Sequence, residues 1–270
     1  MNLGREKTQS STHSAGFEIG EKMRIAVLSS GGKDSAYATW WSGLQGWDIV
    51  SVITVMVRGE DSLMFQLGNT WVAGLQASSM GLPWLPVVTE GIDGQEISDL
   101  ERGLSGVLDT SKIFEEIWPS WVEAPTEMVL QKGKPEIDGL VVGALRSDYQ
   151  KTKIEMMCER LGIHSFCPLW HKEEESHMQS LVEHGFEVVF TSVSTEGLDQ
   201  EWLGRKLDKG SLIELRTLSK KYRFNMDGEG GEFETFVVNS PDMANEIVYT
   251  GKPQWHGSRG VLKIDSLSLN

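Results

Sequence analysis

The alternation of apolar and polar positions predicts strands and helices in turn along residues 23–170. Residues 24–30, "RIAVLSS", form a short apolar run that ends before two glycines, as a buried parallel strand does. Residues 35–46 then follow helical spacing up to a terminal glycine. Further strands are expected at 48–57, 82–89, 138–145 and 163–170, and further helices at 66–81 and 149–162. This alternation predicts an α/β fold, a parallel five-stranded sheet with helices on both faces.

The pattern of apolar and polar residues changes after residue 170. A helix followed by a strand is expected within 180–194, a second helix at 211–222 and a second strand at 233–239. We therefore expect two domains, the α/β domain at 23–170 and a smaller C-terminal α+β domain at 171–270.

Two stretches fit neither pattern. Residues 1–22 are polar, rich in Ser, Thr and Gly, and lack the apolar core of a signal peptide, which predicts a disordered N-terminal extension. Residues 93–136 are acidic and contain "WPSWVEAP", whose prolines break any long helix. We interpret this second stretch as helical hairpins or an insertion.

Composition narrows the class of protein. The net charge of -14 argues against direct nucleic-acid binding, because contact with phosphates needs a basic face. No apolar run approaches the roughly 18 residues that cross a bilayer, so no membrane partner is expected. The two cysteines, Cys158 and Cys167, are spaced for neither a metal site nor a disulfide framework. Their number favours the reducing cytoplasm.

The first predicted strand runs into a glycine loop, "SGGKDS", that suits phosphate. Backbone N–H groups at a glycine turn and at the start of the next helix point together at one spot, where the helix dipole also favours an anion. Lys33 adds a positive charge, and Asp34 is a candidate ligand for Mg²⁺ that bridges phosphates. The predicted phosphate-binding residues are Ser30, Gly31, Gly32, Lys33, Asp34 and Ser35.

Other glycine-loop motifs fit less well. A Walker A loop needs Gly where Val27 stands and Ser or Thr where Asp34 stands, and the Rossmann fingerprint also fails here. A tight turn between strand and helix that binds nothing remains as an alternative.

The loop resembles the pyrophosphate loop of the N-type ATP pyrophosphatases, the PP-loop group of HUP-like (adenine-nucleotide α-hydrolase-like) proteins. In that group Ser-Gly-Gly-x-Asp-Ser follows the first strand, as it does here. The resemblance implies that the loop grips the β,γ-pyrophosphate of ATP while a substrate attacks the α-phosphate. The products would then be AMP and pyrophosphate.

Further stretches resemble one family within that group, the diphthamide synthases or diphthine–ammonia ligases. They are "DSLMFQ" (61–66), "VGALRSDYQ" (142–150), "PLW" (168–170), "GLDQEWLGR" (197–205), "GEGGEFETFV" (228–237) and "WHGSRGVLKI" (255–264). The resemblance implies ATP-dependent amidation of diphthine, a modified histidine on translation elongation factor 2, through an acyl-adenylate that ammonia attacks. ATP and Mg²⁺ are the implied cofactors, and elongation factor 2 and ammonium the implied partners.

The resemblance also implies roles for individual residues. Lys33, Asp34, Glu229 and Glu232 are the expected catalytic residues, with Asp34 the metal ligand. Gly143, Tyr149 and Gln150 are expected to join the glycine loop in binding ATP, since open α/β sheets bind ligands at the carboxyl ends of their strands. The expected substrate-binding residues are Arg205, Gly228, Gly230, Gly231, Glu234 and Thr235.

Residues 228–234 are called the acidic loop here. The negative charge of their glutamates suits the two cations of that reaction. Diphthine carries a trimethylammonium group and ammonia arrives as ammonium, so negative charge is expected nearby. Alone, however, "GEGGE" is typical of a solvated turn.

The remaining candidate residues also have purely structural interpretations. Tyr149 and Gln150 would also suit a packed helix start, and Trp202 and Arg205 would also suit packing between domains. The three histidines at 171, 177 and 184 share no regular spacing and are interpreted as surface residues.

Two residues depart from the pattern of the family that the sequence resembles. Asp227 stands where a cysteine or small residue is common, and Lys151 stands where arginine is common. Two other functions stay open: another PP-loop ATP pyrophosphatase, such as a tRNA-modifying enzyme, and a non-catalytic ATP-binding module similar to the universal stress proteins. Thiolating enzymes of tRNA often carry paired cysteines and a basic surface, which are missing here. A homodimer is also left open.

Overall fold

The first sheet is parallel throughout and forms the core of the N-terminal half. The computed structural model describes residues 22–58 and 70–270. The five strands are β1 (Arg24–Leu28), β2 (Asp48–Val57), β3 (Trp84–Thr89), β4 (Gly139–Val142) and β5 (His164–Phe166). Their order is β3-β2-β1-β4-β5, so the chain reverses direction across the sheet between β1 and β4. That reversal opens a crevice at the carboxyl ends of these two strands.

Helices cover both faces of this sheet, which confirms the predicted α/β class. The described helices are α1 (Lys33–Leu44), α2 (Val72–Ser79), α3 (Gln95–Leu104), α4 (Thr110–Ile117), α5 (Asp148–Leu161), α6 (Glu174–Glu183) and α7 (Lys209–Tyr222). Val27 of β1 packs with Ala38 of α1 on one face. Its neighbour Ala26 packs on the other face with Leu100 of α3 and Ile154 of α5. Successive side chains of a strand point to opposite faces, so one strand is enclosed on both sides.

The second sheet is antiparallel and lies in the C-terminal half. Its strands are β6 (Glu187–Val193), β7 (Phe233–Asn239), β8 (Ile247–His256) and β9 (Arg259–Leu269), in the order β7-β6-β9-β8. The helices and strands expected before residue 240 are present. The hairpin of β8 and β9 is an addition to the elements expected from the sequence.

The stretch 93–136 contains α3 and α4 followed by irregular chain. The two helices expected in this stretch are present, and each packs against β3. The irregular part then returns to the sheet edge, where Trp84 of β3 donates its backbone N–H to Val129 and accepts one from Gln131. This contact covers the outer edge of β3, which would otherwise expose unpaired backbone groups.

The two halves of the chain pack against each other through shared buried clusters. Tyr37 of α1 lies in the same buried cluster as Val188 and Phe190 of β6. Strand β7 also bonds directly to the glycine loop, since the Val237 N–H donates to the Gly31 carbonyl at 3.0 Å. The domain boundary at residues 170 and 171 stays a prediction.

Some expectations fall elsewhere. The N-terminal extension and the "DSLMFQ" stretch lie outside the described residues, apart from Lys22 at the end of the extension. Within the described part of the chain, none of the helices is long and apolar enough to cross a membrane.

Candidate active site

A cavity of about 200 Å³ opens at the carboxyl ends of β1 and β4. This is the crevice where open α/β sheets bind ligands. Its lining brings together parts of the sequence that are far apart, including Ser30, Asp34, Ser35, Gly143, Gln150 and Glu229. Six residues expected to bind ATP or to act in catalysis therefore meet in one place.

The glycine loop has a backbone conformation that depends on Gly31. Its φ is +82°, and a Cβ there would lie 2.5 Å from Val72 Cγ1. Only glycine takes up that conformation without strain in so tight a space. The Gly31 carbonyl is fixed by Gln76 Nε2 at 2.9 Å, in addition to the Val237 N–H. Helix α1 then starts at Lys33, and its first turn lines the cavity through Asp34 and Ser35, which suits an anion.

Gly143 allows β4 to end against the first turn of α1. A Cβ on Gly143 would lie 2.8 Å from the backbone atoms Asp34 C and Ser35 N. Because both atoms belong to the backbone, no rotation of a side chain could relieve the contact. The role of Gly143 is thus to let the loop and β4 approach each other.

Gly143→Ala should therefore lower the free energy of unfolding by about 1–3 kcal/mol, as overpacking of a core does. Gly43→Ala in α1 is a matched control, because a Cβ there meets nothing within 4 Å. Urea denaturation of both variants checks the expectation. Equal stability of the two variants would contradict the close approach.

Asp34 is held from two sides. Its Oδ2 accepts a hydrogen bond from Lys33 Nζ at 2.9 Å, and its Oδ1 lies 2.7 Å from His177 Nε2. Burial alone would raise the pKa of Asp34, but Lys33 and His177 lower it to about 2. The carboxyl group is therefore ionised at neutral pH, and the His177 Nε2–H is the donor.

His177 corrects the interpretation of the three histidines as surface residues. His171 and His184 are exposed, but His177 has no exposed surface. On α6 it is buried together with Met178 and Leu181. The spacing i, i+1, i+4 with two apolar residues is a helical-face signal that was present in the sequence.

The acidic loop reaches the cavity through Glu229. Its Oε1 accepts the backbone N–H of Arg146 at 3.0 Å, which draws the carboxylate to the end of β4. Burial raises the pKa of Glu229, and the nearby Asp34 acts in the same direction. Glu229 is therefore a stronger proton acceptor than a solvent-exposed carboxylate.

Arg146 is a residue that the sequence reasoning did not single out. Its Nη1 donates to Asp227 Oδ2 at 2.7 Å, and its Nη2 donates to the Lys172 carbonyl at 3.1 Å. The Asp227 side chain is fully buried. A buried carboxylate needs such a partner, so Arg146 explains how an aspartate is accommodated at position 227. The unusual Asp227 was the signal for it.

The Glu232 side chain bonds to the chain just before the acidic loop. Its Oε1 accepts from Asn225, from the backbone N at 2.9 Å and from Nδ2 at 2.8 Å. A Cβ on Gly230 would come within 2.7 Å of this oxygen, and Gly228 and Gly231 both have positive φ. These contacts shape the acidic loop. The catalytic role of Glu232 and the substrate-binding roles of the three glycines stay predictions.

The other expected substrate residues, Glu234, Thr235 and Arg205, do not line the cavity. Thr235 Oγ1 accepts the Lys33 N–H at 3.2 Å, and Glu234 is half-buried on the same strand, β7. Arg205 pairs with Glu214 at 2.7 Å and lies over the ring of Trp202, which is buried. Their binding roles stay predictions.

Tyr149 also lies away from the cavity. The Tyr149 hydroxyl donates to Asp93 instead of facing the cavity lining. Its role in ATP binding stays a prediction.

The donor set of the cavity fits a magnesium ion that arrives with a nucleotide. Mg²⁺ commonly binds one or two carboxylates together with substrate phosphates and waters. Asp34 supplies an ionised carboxylate and Glu229 lies in the same lining. Over residues 22–58 and 70–270, no three His, Cys, Asp or Glu side chains are grouped to hold a metal by themselves.

Fold and site together define an α/β nucleotide-binding protein with a Ser-Gly-Gly-x-Asp-Ser loop at its sheet crevice. The family profile "Diphthamide synthase N-terminal domain" matches residues 23–165, and "Diphthamide synthase C-terminal domain" matches 173–269. The chain belongs to the diphthamide synthase family.

Known relatives carry one name. A diphthine–ammonia ligase from Bos taurus is 32% identical over 84% of this chain and 82% of its own length. The Homo sapiens protein of that name shows the same identity and coverage. That of Schizosaccharomyces pombe is 30% identical over 88% of this chain but 38% of its own length. These relatives confirm the resemblance drawn from the sequence and place the chain among enzymes of the ligase class.

One solved structure is more distant. A predicted subunit of tRNA methyltransferase from Methanocaldococcus jannaschii aligns with 81% of this chain and 99% of its own, at 16% identity and a TM-score of 0.36. That likeness is too low to bear on function.

Proposed function

We propose that this chain converts diphthine on translation elongation factor 2 to diphthamide, through an acyl-adenylate that ammonia attacks, with release of AMP and pyrophosphate. The observation that carries the proposal is the meeting of the glycine loop and Glu229 in one cavity. A site built for anions and an acidic group suited to cations thus lie side by side.

The chemistry asks for little beyond positioning and charge neutralisation. A carboxylate is a poor electrophile, and adenylation supplies it with a leaving group. The glycine loop and the first turn of α1 bind the polyphosphate of ATP, and Lys33 neutralises charge on the departing pyrophosphate. Mg²⁺, held by Asp34, would supply further neutralisation of the phosphates.

Glu229 is the residue best placed to serve the second half of the reaction. Ammonium must lose a proton before it can attack, and a carboxylate with a raised pKa accepts that proton more readily. The negative charge of Glu229 also suits the trimethylammonium group of diphthine.

The alternative enzyme, a PP-loop protein that thiolates tRNA, gains no support from the cysteines. Burial raises the pKa of Cys158 to about 12 and also raises that of Cys167, so neither thiol is activated. Both are free cysteines, which agrees with a reducing cytoplasm.

Glu229→Gln should slow amide formation by about a hundredfold or more, because proton acceptance is lost, while leaving ATP affinity within about threefold. Mass spectrometry of the modified histidine and calorimetry with ATP measure the two effects. Glu115→Gln, a change at an exposed position on α4, is the control. If ATP affinity collapses and residual amidation follows ATP occupancy, Glu229 serves the nucleotide and this assignment is wrong.

The proposed reaction is tested directly with elongation factor 2 that carries diphthine. Incubation with the protein, ATP and ammonium should convert the diphthine carboxylate to the primary amide, as seen by mass spectrometry. Omission of ATP or of ammonium should each abolish the product. ATP binding without any amide under these conditions would favour a non-catalytic ATP-binding module.

A further inference from the structure

His177 is a buried polar side chain whose hydrogen bonding is incomplete. It has no exposed surface, and its ring lies edge-on to Tyr37 at a centroid distance of 5.5 Å. Within the described residues Nδ1 has no hydrogen-bond partner. A leucine or methionine at this position would fill the space without the unsatisfied ring nitrogen, which costs folding free energy, but it would remove the donor to Asp34 Oδ1. The retained histidine therefore needs a reason other than packing.

Among the described residues, the His177 ring makes one hydrogen bond, the contact with Asp34. It spans from α6 in the C-terminal half to the first turn of α1, with 2.7 Å between Nε2 and Oδ1. Lys33 occupies the opposite carboxylate oxygen at 2.9 Å. Each carboxylate oxygen of Asp34 therefore has its own partner, His177 at Oδ1 and Lys33 at Oδ2.

These two partners behave differently when a polyphosphate arrives. Lys33 carries a positive charge that a phosphate attracts, so its bond to Asp34 is open to competition. His177 is fixed by burial on α6, so it keeps its place when a phosphate arrives. A bond of this second kind keeps a ligand carboxylate oriented, as outer partners of metal ligands do.

We propose that His177 is a positioning residue, which holds the Asp34 carboxylate in its orientation while the polyphosphate engages Lys33. The inference rests on the proposed use of ATP and adds to it a residue of the C-terminal half. It also links α6 to the nucleotide loop of the N-terminal half.

The test compares two variants of His177. His177→Leu fills the space without a donor, and His177→Gln keeps an N–H donor on a side chain of similar reach. Rates of AMP formation and Mg²⁺-dependent ATP binding are measured for both, the binding by calorimetry with Mg²⁺ and with EDTA. His256→Leu changes an exposed histidine at the end of β8 and serves as control.

We expect His177→Leu to lower kcat by about 10–100-fold, with a KM for ATP within about threefold of the wild type. It should also lose most of the gain in ATP affinity that Mg²⁺ gives the wild type, while it stays folded. His177→Gln should recover kcat to within about fivefold. His256→Leu should match the wild type in every measurement.

Three results would overturn the proposal. These are a His177→Leu variant with wild-type kcat, a His177→Gln variant as slow as His177→Leu, and an unchanged effect of Mg²⁺ on ATP binding in His177→Leu. If His177→Leu does not fold, His177→Gln decides alone, with near-wild-type kcat in favour and low kcat against. A wild type that binds ATP with Mg²⁺ but forms no amide would reject the proposed function and leave the binding comparison intact.

Discussion

Lys33→Ala should slow amidation by about a hundredfold or more at saturating ATP and Mg²⁺, which corresponds to about 2.7 kcal/mol of transition-state stabilisation. The Lys33 side chain is almost fully buried beside the cavity, with Nζ on Asp34 and near the face of the Phe233 ring. Initial rates of amide formation, followed by mass spectrometry, measure the effect.

Lys220→Ala is the control for that variant, because Lys220 is exposed on α7. It should keep the wild-type rate. Lys33→Ala should still fold, since Asp34 retains its bond to His177. Near-normal turnover in Lys33→Ala would move the phosphate site away from the glycine loop.

Arg146→Leu should destabilise the protein by about 3 kcal/mol, because it leaves the carboxylate of Asp227 buried without its charged partner. This value is at the lower end of the destabilisation expected when a buried ion pair loses one partner, because 29% of the Arg146 side chain is exposed. The double variant Arg146→Leu/Asp227→Ala should regain most of the lost stability. Urea denaturation of the two single variants and the double variant gives the coupling.

Strictly additive losses in that cycle would show that the two side chains do not stabilise each other.

The amidation rate of the same variants provides a second measurement. The Arg146 backbone N–H that binds Glu229 is retained in Arg146→Leu, so the double variant should also keep part of its amidation rate. A double variant as unstable as Arg146→Leu would contradict the pairing.

Much of the fold was predictable because its strands are strongly apolar and its turns carry clear signals. The run 48–57 is rich in β-branched residues and forms β2 with those bounds. The hairpin of β8 and β9 had its own signal, the two-residue turn Gly257-Ser258, with a positive φ at Gly257. The burial of Leu262 and Ile264 between exposed neighbours in β9 also follows strand spacing.

The candidate site was predictable where its residues are neighbours in the sequence. The glycine loop depends on local backbone conformation and on the helix that follows, and both can be inferred from a few residues. The contacts of Asp34 with His177 and of Arg146 with Asp227 join residues 143 and 81 positions apart. They depend on how α6 and the acidic loop pack against the first sheet, which no local pattern specifies.

The identity of the nucleotide products is the most direct test of the central claim, that the Ser30–Ser35 loop holds the pyrophosphate as the leaving group. Chromatography of a reaction with diphthine-bearing elongation factor 2, ATP and ammonium should show one AMP and one pyrophosphate for each amide formed. Stoichiometric ADP and phosphate would mean that the β–γ bond is cleaved instead, and would contradict the claim.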